Sequence, residues 1–415
     1  MRIVFPINYL PLGEMGGMET YSRSLIYNLQ KIDQTNEYSV ICANSNEKAF
    51  PLTGSNFNKV IIDRFRIIEK ARSLTKKVLS LMKKAPFLRD IKKDIEGFAK
   101  TIYQKTHSPG IAFNEQGDDL IHHMFTILPY VSDTTTILTV HDIQQEYFPD
   151  FFSQKELEER RNSHRPSAEK ADHIIAISQF TKDTLIEKYG IPEEKISVVY
   201  NGFDQDTFTA LDAKTIKKFR KTYGLPESFL LYPAATWKHK NHNNLIKAYK
   251  VLKEKYQFRD KLVLTGIKKG NHESVMARIR ELGLEKDIIH LGYLPYEQLP
   301  ALYNASDILV FPSFFEGFGI PVIEAMAVGL PVACSNTTSL PEIGGDAALY
   351  FDPFNPEDIA EKLFTLHKDM DLRKKSISKG LEQVKKFTWE NTAKETLQIY
   401  EKTFSKIKSY ENKLS

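Results

Sequence analysis

The stretch Asp307-Ile-Leu-Val-Phe-Pro-Ser-Phe-Phe-Glu-Gly-Phe-Gly-Ile-Pro-Val-Ile-Glu-Ala-Met-Ala-Val-Gly329 decides the fold. Residues 308–311 are a short unbroken apolar run, the pattern of a strand buried in a parallel sheet. It breaks at Pro312-Ser313, and Glu316 follows in a loop whose Gly317 and Gly319 let backbone approach a ligand closely. Pro321 stands where a first helical turn tolerates proline, and Gly329 closes the helix. Strand, glycine loop and helix N-terminus together make an anion site. Glu324 lies about one turn into that helix, where a carboxylate can accept two hydrogen bonds from a vicinal diol such as a ribose. An acid at the loop and a second behind a phosphate cradle suggest a sugar nucleotide.

Working outward, 415 residues exceed one comfortable core, so two domains are expected. With 41% hydrophobic and 27% charged residues the composition is globular, and a net charge of +4 is too slight to imply nucleic acid. Cys42 and Cys334 each sit in an apolar run, which reads as two buried thiols in a reducing compartment. The N-terminus reads as a first strand rather than a secretory core, and no run approaches the roughly 18 apolar residues of a membrane span. These signs point to a cytosolic protein.

Residues 2–7 read as strand one. Gly13, Gly16 and Gly17 follow, then an amphipathic helix over residues 18–29, which is the opening of a Rossmann-like half. The loop does not match G-x-G-x-x-G, and no acid stands after the second strand (residues 38–43), which argues against a nicotinamide cofactor. Residues 64–105 hold 13 lysines and arginines against 4 acids, a net +9, with apolar residues at helical spacing. Two readings stand: a solvated face on helices packed into the core, or an interfacial helix resting on anionic lipid, which would put the protein at the inner face of the membrane.

Strands are expected at residues 119–124 and 135–140, the second ending in His141-Asp142, and at residues 172–178 before a helix capped by Ser178. Asp204-Gln-Asp206 has a D-x-D pattern, read here as turn and capping residues, and no other spacing suggests a metal. Residues 229–233 open the second half, followed by Lys238-His-Lys240-Asn. Further strands are expected at residues 261–266, 288–291 and 331–335.

Glu316-Gly-Phe-Gly-Ile-Pro-Val-Ile-Glu324 resembles the E-x7-E motif of the retaining glycosyltransferases of family 4. The resemblance covers nearly all of the chain and is weakest between residues 43 and 118. It implies an α/β GT-B fold: two Rossmann-like parallel-sheet domains facing across a cleft, with a C-terminal helix crossing back near Phe387-Thr-Trp389. The implied domains are residues 1–204 on the acceptor side, 205–386 for the nucleotide sugar, and 387–415 as the returning helix. In that family the Gly16-Gly17 turn faces the donor's phosphates, the His141 position points at the donor sugar, and Lys240 neutralises the diphosphate. The family's upstream arginine is missing from Ala234-Ala-Thr236, so Lys238 is a candidate substitute. The loop at Tyr293 reads the base, and Phe318, Gly319, Ile320 and Glu324 hold the nucleotide. The implied activity moves a hexose from a GDP- or UDP-sugar to a glycan or lipid-linked glycan, with no metal and no cofactor. A sugar-nucleotide epimerase or phosphorylase of the same fold, or an inactive scaffold member, are the alternatives.

Overall fold

A computed structural model describes residues 1–8, 16–62, 117–129 and 134–414, with side chains described as far as residue 407. The net +9 segment and Gly13 lie outside the described residues.

Two all-parallel sheets carry the chain. The first orders its strands β3-β2-β1-β4-β5-β6-β7, from β1 (Arg2–Pro6), β2 (Glu37–Ala43), β3 (Phe57–Ile62), β4 (Leu120–His123), β5 (Thr135–Val140), β6 (His173–Ala176) and β7 (Ile196–Val198). The second runs β10-β9-β8-β11-β12-β13, from β8 (Phe229–Pro233), β9 (Lys261–Thr265), β10 (Ile288–His290), β11 (Ile308–Phe311), β12 (Val332–Ser335) and β13 (Leu349–Phe351). Ile308 to Phe311 are buried throughout, as helices on both faces of a parallel sheet require. Each sheet reverses its strand order once, where β1 meets β4 and where β8 meets β11. Ligands of open α/β sheets bind beyond the strand ends at such a switch point. Here those ends carry the Gly16 turn and His141 in one domain, and Lys240 and Glu316 in the other.

The helix Gly17–Ile32 buries Tyr21, Leu25, Ile26 and Leu29 against the first sheet. The helix Ile320–Ala327 has Pro321 in its first turn, and Gly329 (φ +73°) follows it in the left-handed region. β3, β13 and the helix Gln154–Lys170, among other elements, escaped the sequence reading. β3 buries only Phe57 and leaves Val60 and Ile61 exposed in succession, β13 is three residues long, and the helix Gln154–Lys170 buries only Leu157, Ser167 and Ala168. That last helix starts on a capping box between Ser153 and Glu156 and carries Pro166 inside it.

The chain crosses between domains twice at one place. Phe203 pairs with Thr388 in a parallel bridge, and a Cβ on Gly202 would stand 2.2 Å from the Trp389 amide nitrogen, so only glycine fits there. Phe387 packs in the second domain's core, whereas Trp389 and Tyr400 of the final helix (Trp389–Leu414) pack in the first's. The helix thus returns to the first sheet. No helix among the described residues is long and apolar enough to cross a membrane.

Candidate active site

The cation loop is built from β8. Lys238–Lys240 form one tight turn, and Asn241 follows in the left-handed region at φ 57°. The buried Asn241 amide donates to the carbonyls of Pro312 (2.9 Å) and Pro353 (2.8 Å), and the Tyr232 hydroxyl donates to the Lys240 carbonyl at 2.5 Å. These bonds tie the turn to the end of β11. There the Glu316 N–H donates to Thr338 Oγ1 (3.2 Å), and its carbonyl accepts from Ser339 Oγ (3.0 Å). Lys240 Nζ lies 2.6 Å from Glu316 Oε1, with the two side chains only 19% and 12% exposed. A cation and a carboxylate are thus held together in partial shelter from water, where each acts more strongly on an incoming charge than at the surface.

Behind them, the helix Ile320–Ala327 presents its N-terminus without a side-chain cap, and Gly319 (φ 112°) turns the chain into it. Glu324 is buried and accepts the Tyr303 hydroxyl on Oε2 at 2.9 Å. Burial is the main reason its pKa is pushed up to about 7; Asp204 adds to the rise and the Tyr303 hydrogen bond opposes it.

From the first domain, a Cβ on Gly17 would stand 3.9 Å from Ile320 Cδ1, so the glycine turn faces the start of that helix. His141 ends β5 in a buried position. Its Nε2 lies 2.9 Å from the Met124 carbonyl, which can only accept, so Nε2 carries the proton and Nδ1 the lone pair. Burial lowers its pKa and keeps the ring neutral. The Tyr21 ring meets it edge-on at 5.1 Å. Beneath, Tyr21 and His122 both bond Thr139 Oγ1 (2.9 and 2.8 Å), and His122 Nδ1 reaches the Tyr400 hydroxyl at 2.6 Å. The returning helix therefore supports the packing under His141.

The two halves touch around Glu316. A Cβ on Gly317 would stand 2.0 Å from the His141 carbonyl oxygen, and Ser178 Oγ donates to the Gly317 carbonyl at 2.7 Å. Glu342 reaches across to accept the amides of Gln179 (2.7 Å) and Phe180 (3.2 Å) at a helix N-terminus. Phe315 packs between Tyr147, Phe148 and Phe180.

The site residues expected from sequence divide accordingly. Lys240 and Glu316 are bonded, and contacts at Gly317 and Ile320 bring the His141 strand end and the Gly16-Gly17 turn to them. Lys238 departs: its Nζ lies 3.3 Å from the Asp150 carbonyl and takes no part in the Lys240–Glu316 pair. Phe318 turns its ring into the core against Phe387, leaving only its backbone for a ligand, while Tyr293 is 66% exposed. Asp204 accepts from the Thr207 amide and hydroxyl, which fits a turn residue. Among the described residues no group of three His, Cys, Asp or Glu is placed to hold a metal ion. Sequence reasoning saw only the helix cap in Ser178 and missed Glu342 and Tyr303, whose partners lie far off in the chain.

The profile described as Glycosyltransferase Family 4 matches residues 15–207, and that described as Glycosyl transferases group 1 matches residues 214–383. O-antigen chain mannosyltransferase B of Escherichia coli is 31% identical over 290 residues, 70% of this chain and 76% of that protein. O-antigen chain mannosyltransferase RfbU of Salmonella typhimurium is 33% identical over 232 residues, 56% of this chain and 59% of that one. In structure, a sucrose-phosphate synthase from Thermosynechococcus elongatus superposes with a TM-score of 0.71 at 18% identity, over 98% of this chain and 99% of that one, a likeness of fold.

Proposed function

The chain belongs to the group 1 glycosyl transferases of family 4, a glycosyltransferase of GT-B fold, and from that premise we propose that it transfers a hexose with retention and without a metal ion. The donor is a GDP- or UDP-hexose and the acceptor a glycan or lipid-linked glycan. The relatives named as mannosyltransferases support mannose as the sugar. The observation that carries the reading is the 2.6 Å pair of Lys240 and Glu316 at the second switch point, across from the His141 strand end. Cys42 and Cys334, two separate buried thiols, support a cytosolic setting.

In this reading the uncapped helix N-terminus at Ile320 and the Gly16-Gly17 turn flank the diphosphate, and Lys240 neutralises it. Glu324 accepts the ribose hydroxyls, and the Tyr293 loop borders the base. His141 Nδ1 accepts a sugar hydroxyl, while Glu316 orients the sugar and offsets positive charge developing at C1. The bond from C1 to the diphosphate oxygen breaks, and one from C1 to the acceptor oxygen forms on the same face. The acceptor's proton passes to the departing diphosphate. Incubation with UDP-glucose, UDP-galactose and GDP-mannose beside candidate acceptors tests the reading. One donor is consumed only when acceptor is present, and a chelator leaves the rate unchanged. Turnover without acceptor, or loss of rate to the chelator, contradicts it.

Glu324 supplies a pH test. A ribose diol needs the ionised carboxylate, and a group raised to about 7 is protonated below that pH in the free protein. The donor kcat/KM should therefore fall as pH drops through 7, approaching tenfold per pH unit. Glu324→Gln should cost roughly 1–3 kcal/mol, seen mainly as a higher donor KM, and should flatten that limb. The same raised pKa makes the fold less stable as pH rises from the ordinary carboxylate range through 7, because the folded chain holds that proton more tightly. An unchanged acid limb in the variant would move the titration to another group.

A further inference from the structure

Lys238 leaves the donor loop for a second cleft. That cleft measures about 360 Å³ and is lined by the start of the helix His242–Tyr256 together with Arg278 of the helix His272–Glu281. Lys238, Lys247 and Arg278 line it, and no acidic residue does. Asn243, Asn244 and Asn271 add side-chain amides. Phe151 of the first domain and Phe314 of the second form apolar walls, with ring centroids 6.0 Å apart.

The side-chain amides of Asn243 and Asn244 already donate to Ser274 and the Pro353 carbonyl, whereas two of the cations keep donors to spare. Lys247 is exposed and has no hydrogen-bond or ion-pair partner among the described residues. Arg278 gives Nη1 to Glu281 at 2.9 Å and keeps further N–H groups for an oxyanion. The helix beginning at His242 has no side-chain cap, so its dipole adds to the positive field. Arg278 is paired with Glu281, whose carboxylate does not line the cleft, while Lys238 and Lys247 have no ion-pair partner among the described residues, so the cleft attracts an anion. A dianion with three acceptor oxygens satisfies the three cations better than a carboxylate does. The volume exceeds what a bare phosphate fills and leaves room for a sugar or chain beside the two phenylalanine rings.

We propose that this cleft binds a phosphate monoester, at a site separate from the donor's diphosphate. An occupant would bear on both halves of the reacting pair, since Lys238 is two residues before Lys240 and Phe314 two before Glu316. The Phe314 amide already donates to the His239 carbonyl at 2.8 Å, which joins the two loops directly.

Calorimetric titration of the full chain with inorganic phosphate, in saturating UDP or GDP, tests this. One phosphate site should persist beside the bound nucleotide. Lys247→Glu and Arg278→Gln should each weaken it tenfold or more, Lys247→Arg should retain it, and nucleotide affinity should change less than twofold in all three. Competition between phosphate and nucleotide, or indifference to Lys247→Glu, overturns the proposal. Two further ligands identify the source. Mannose 6-phosphate binding more tightly than inorganic phosphate marks a free sugar phosphate, and dodecyl phosphate doing so marks the phosphate of a lipid-linked acceptor. If neither binds more tightly than inorganic phosphate, the monoester assignment fails.

Discussion

Glu316→Gln is expected to lower kcat by on the order of 10²-fold or more while nucleotide affinity stays within a few-fold of wild type. The carboxylate lies 2.6 Å from Lys240, and in the proposed reaction its charge matters most when the sugar becomes positive at C1. The amide keeps the shape and removes the charge, so the loss falls on the transition state and spares the ground state. Lys240 then has no counter-ion and meets the diphosphate unopposed, which keeps nucleotide binding in place or tightens it. His141→Ala should behave as Glu316→Gln does, because the proposed reaction has its lone pair accept a sugar hydroxyl. Lys240→Ala should weaken binding and slow turnover together, since in the proposed reaction it holds the diphosphate throughout and meets the charge gained as that group leaves. Steady-state kinetics beside donor calorimetry separates the patterns. If Glu316→Gln abolished nucleotide binding, its role and that of Glu324 would have to be exchanged.

Gly317→Ala is the second large effect, and it acts through closure. The added Cβ would stand 2.0 Å from the His141 carbonyl oxygen and 3.3 Å from Asp142 Cβ. The nearer obstacle is backbone, which cannot swing aside as a long side chain would. The loop carrying Glu316 and the end of β5 must then separate, taking Ser178 from the Gly317 carbonyl and straining the Glu342 contact. A displacement of about 1 Å at reacting groups can cost 10²-fold, so kcat/KM should fall at least that far. Each domain keeps its own core, so nucleotide affinity should be nearly retained and the melting temperature should move by only a few degrees. Wild-type kinetics in this variant would show that the closed contact around Gly317 is not the reacting arrangement.

What the sequence revealed followed from local pattern. The Ile308 to Phe311 run, the glycine loop and Pro321 mark strand, turn and helix within one stretch, and the structure forms all three there. The return of the final helix was legible at Trp389 through resemblance, and its physical cause is the burial of Trp389 and Tyr400 in the first domain. Edge elements were not legible: β3 is too exposed to show an apolar face, and the helix Gln154–Lys170 is anchored by its cap and three buried residues. Pairings across the chain were hidden for another reason. Lys240 and Lys238 are alike in sequence, yet only one meets Glu316, because the Tyr232 and Asn241 hydrogen bonds fix the turn that separates them. The role of Glu342 was hidden because its partners, the amides of Gln179 and Phe180, come from the other domain.

Retention at the anomeric carbon is read from the configuration of the purified product. The one-bond carbon–proton coupling at the new anomeric centre, read by NMR after transfer from an α-linked nucleotide hexose, distinguishes the two outcomes. Retention gives an α-linked product. A β-linked product would mean attack from the opposite face, and the roles given to Glu316, Lys240 and His141 could not stand.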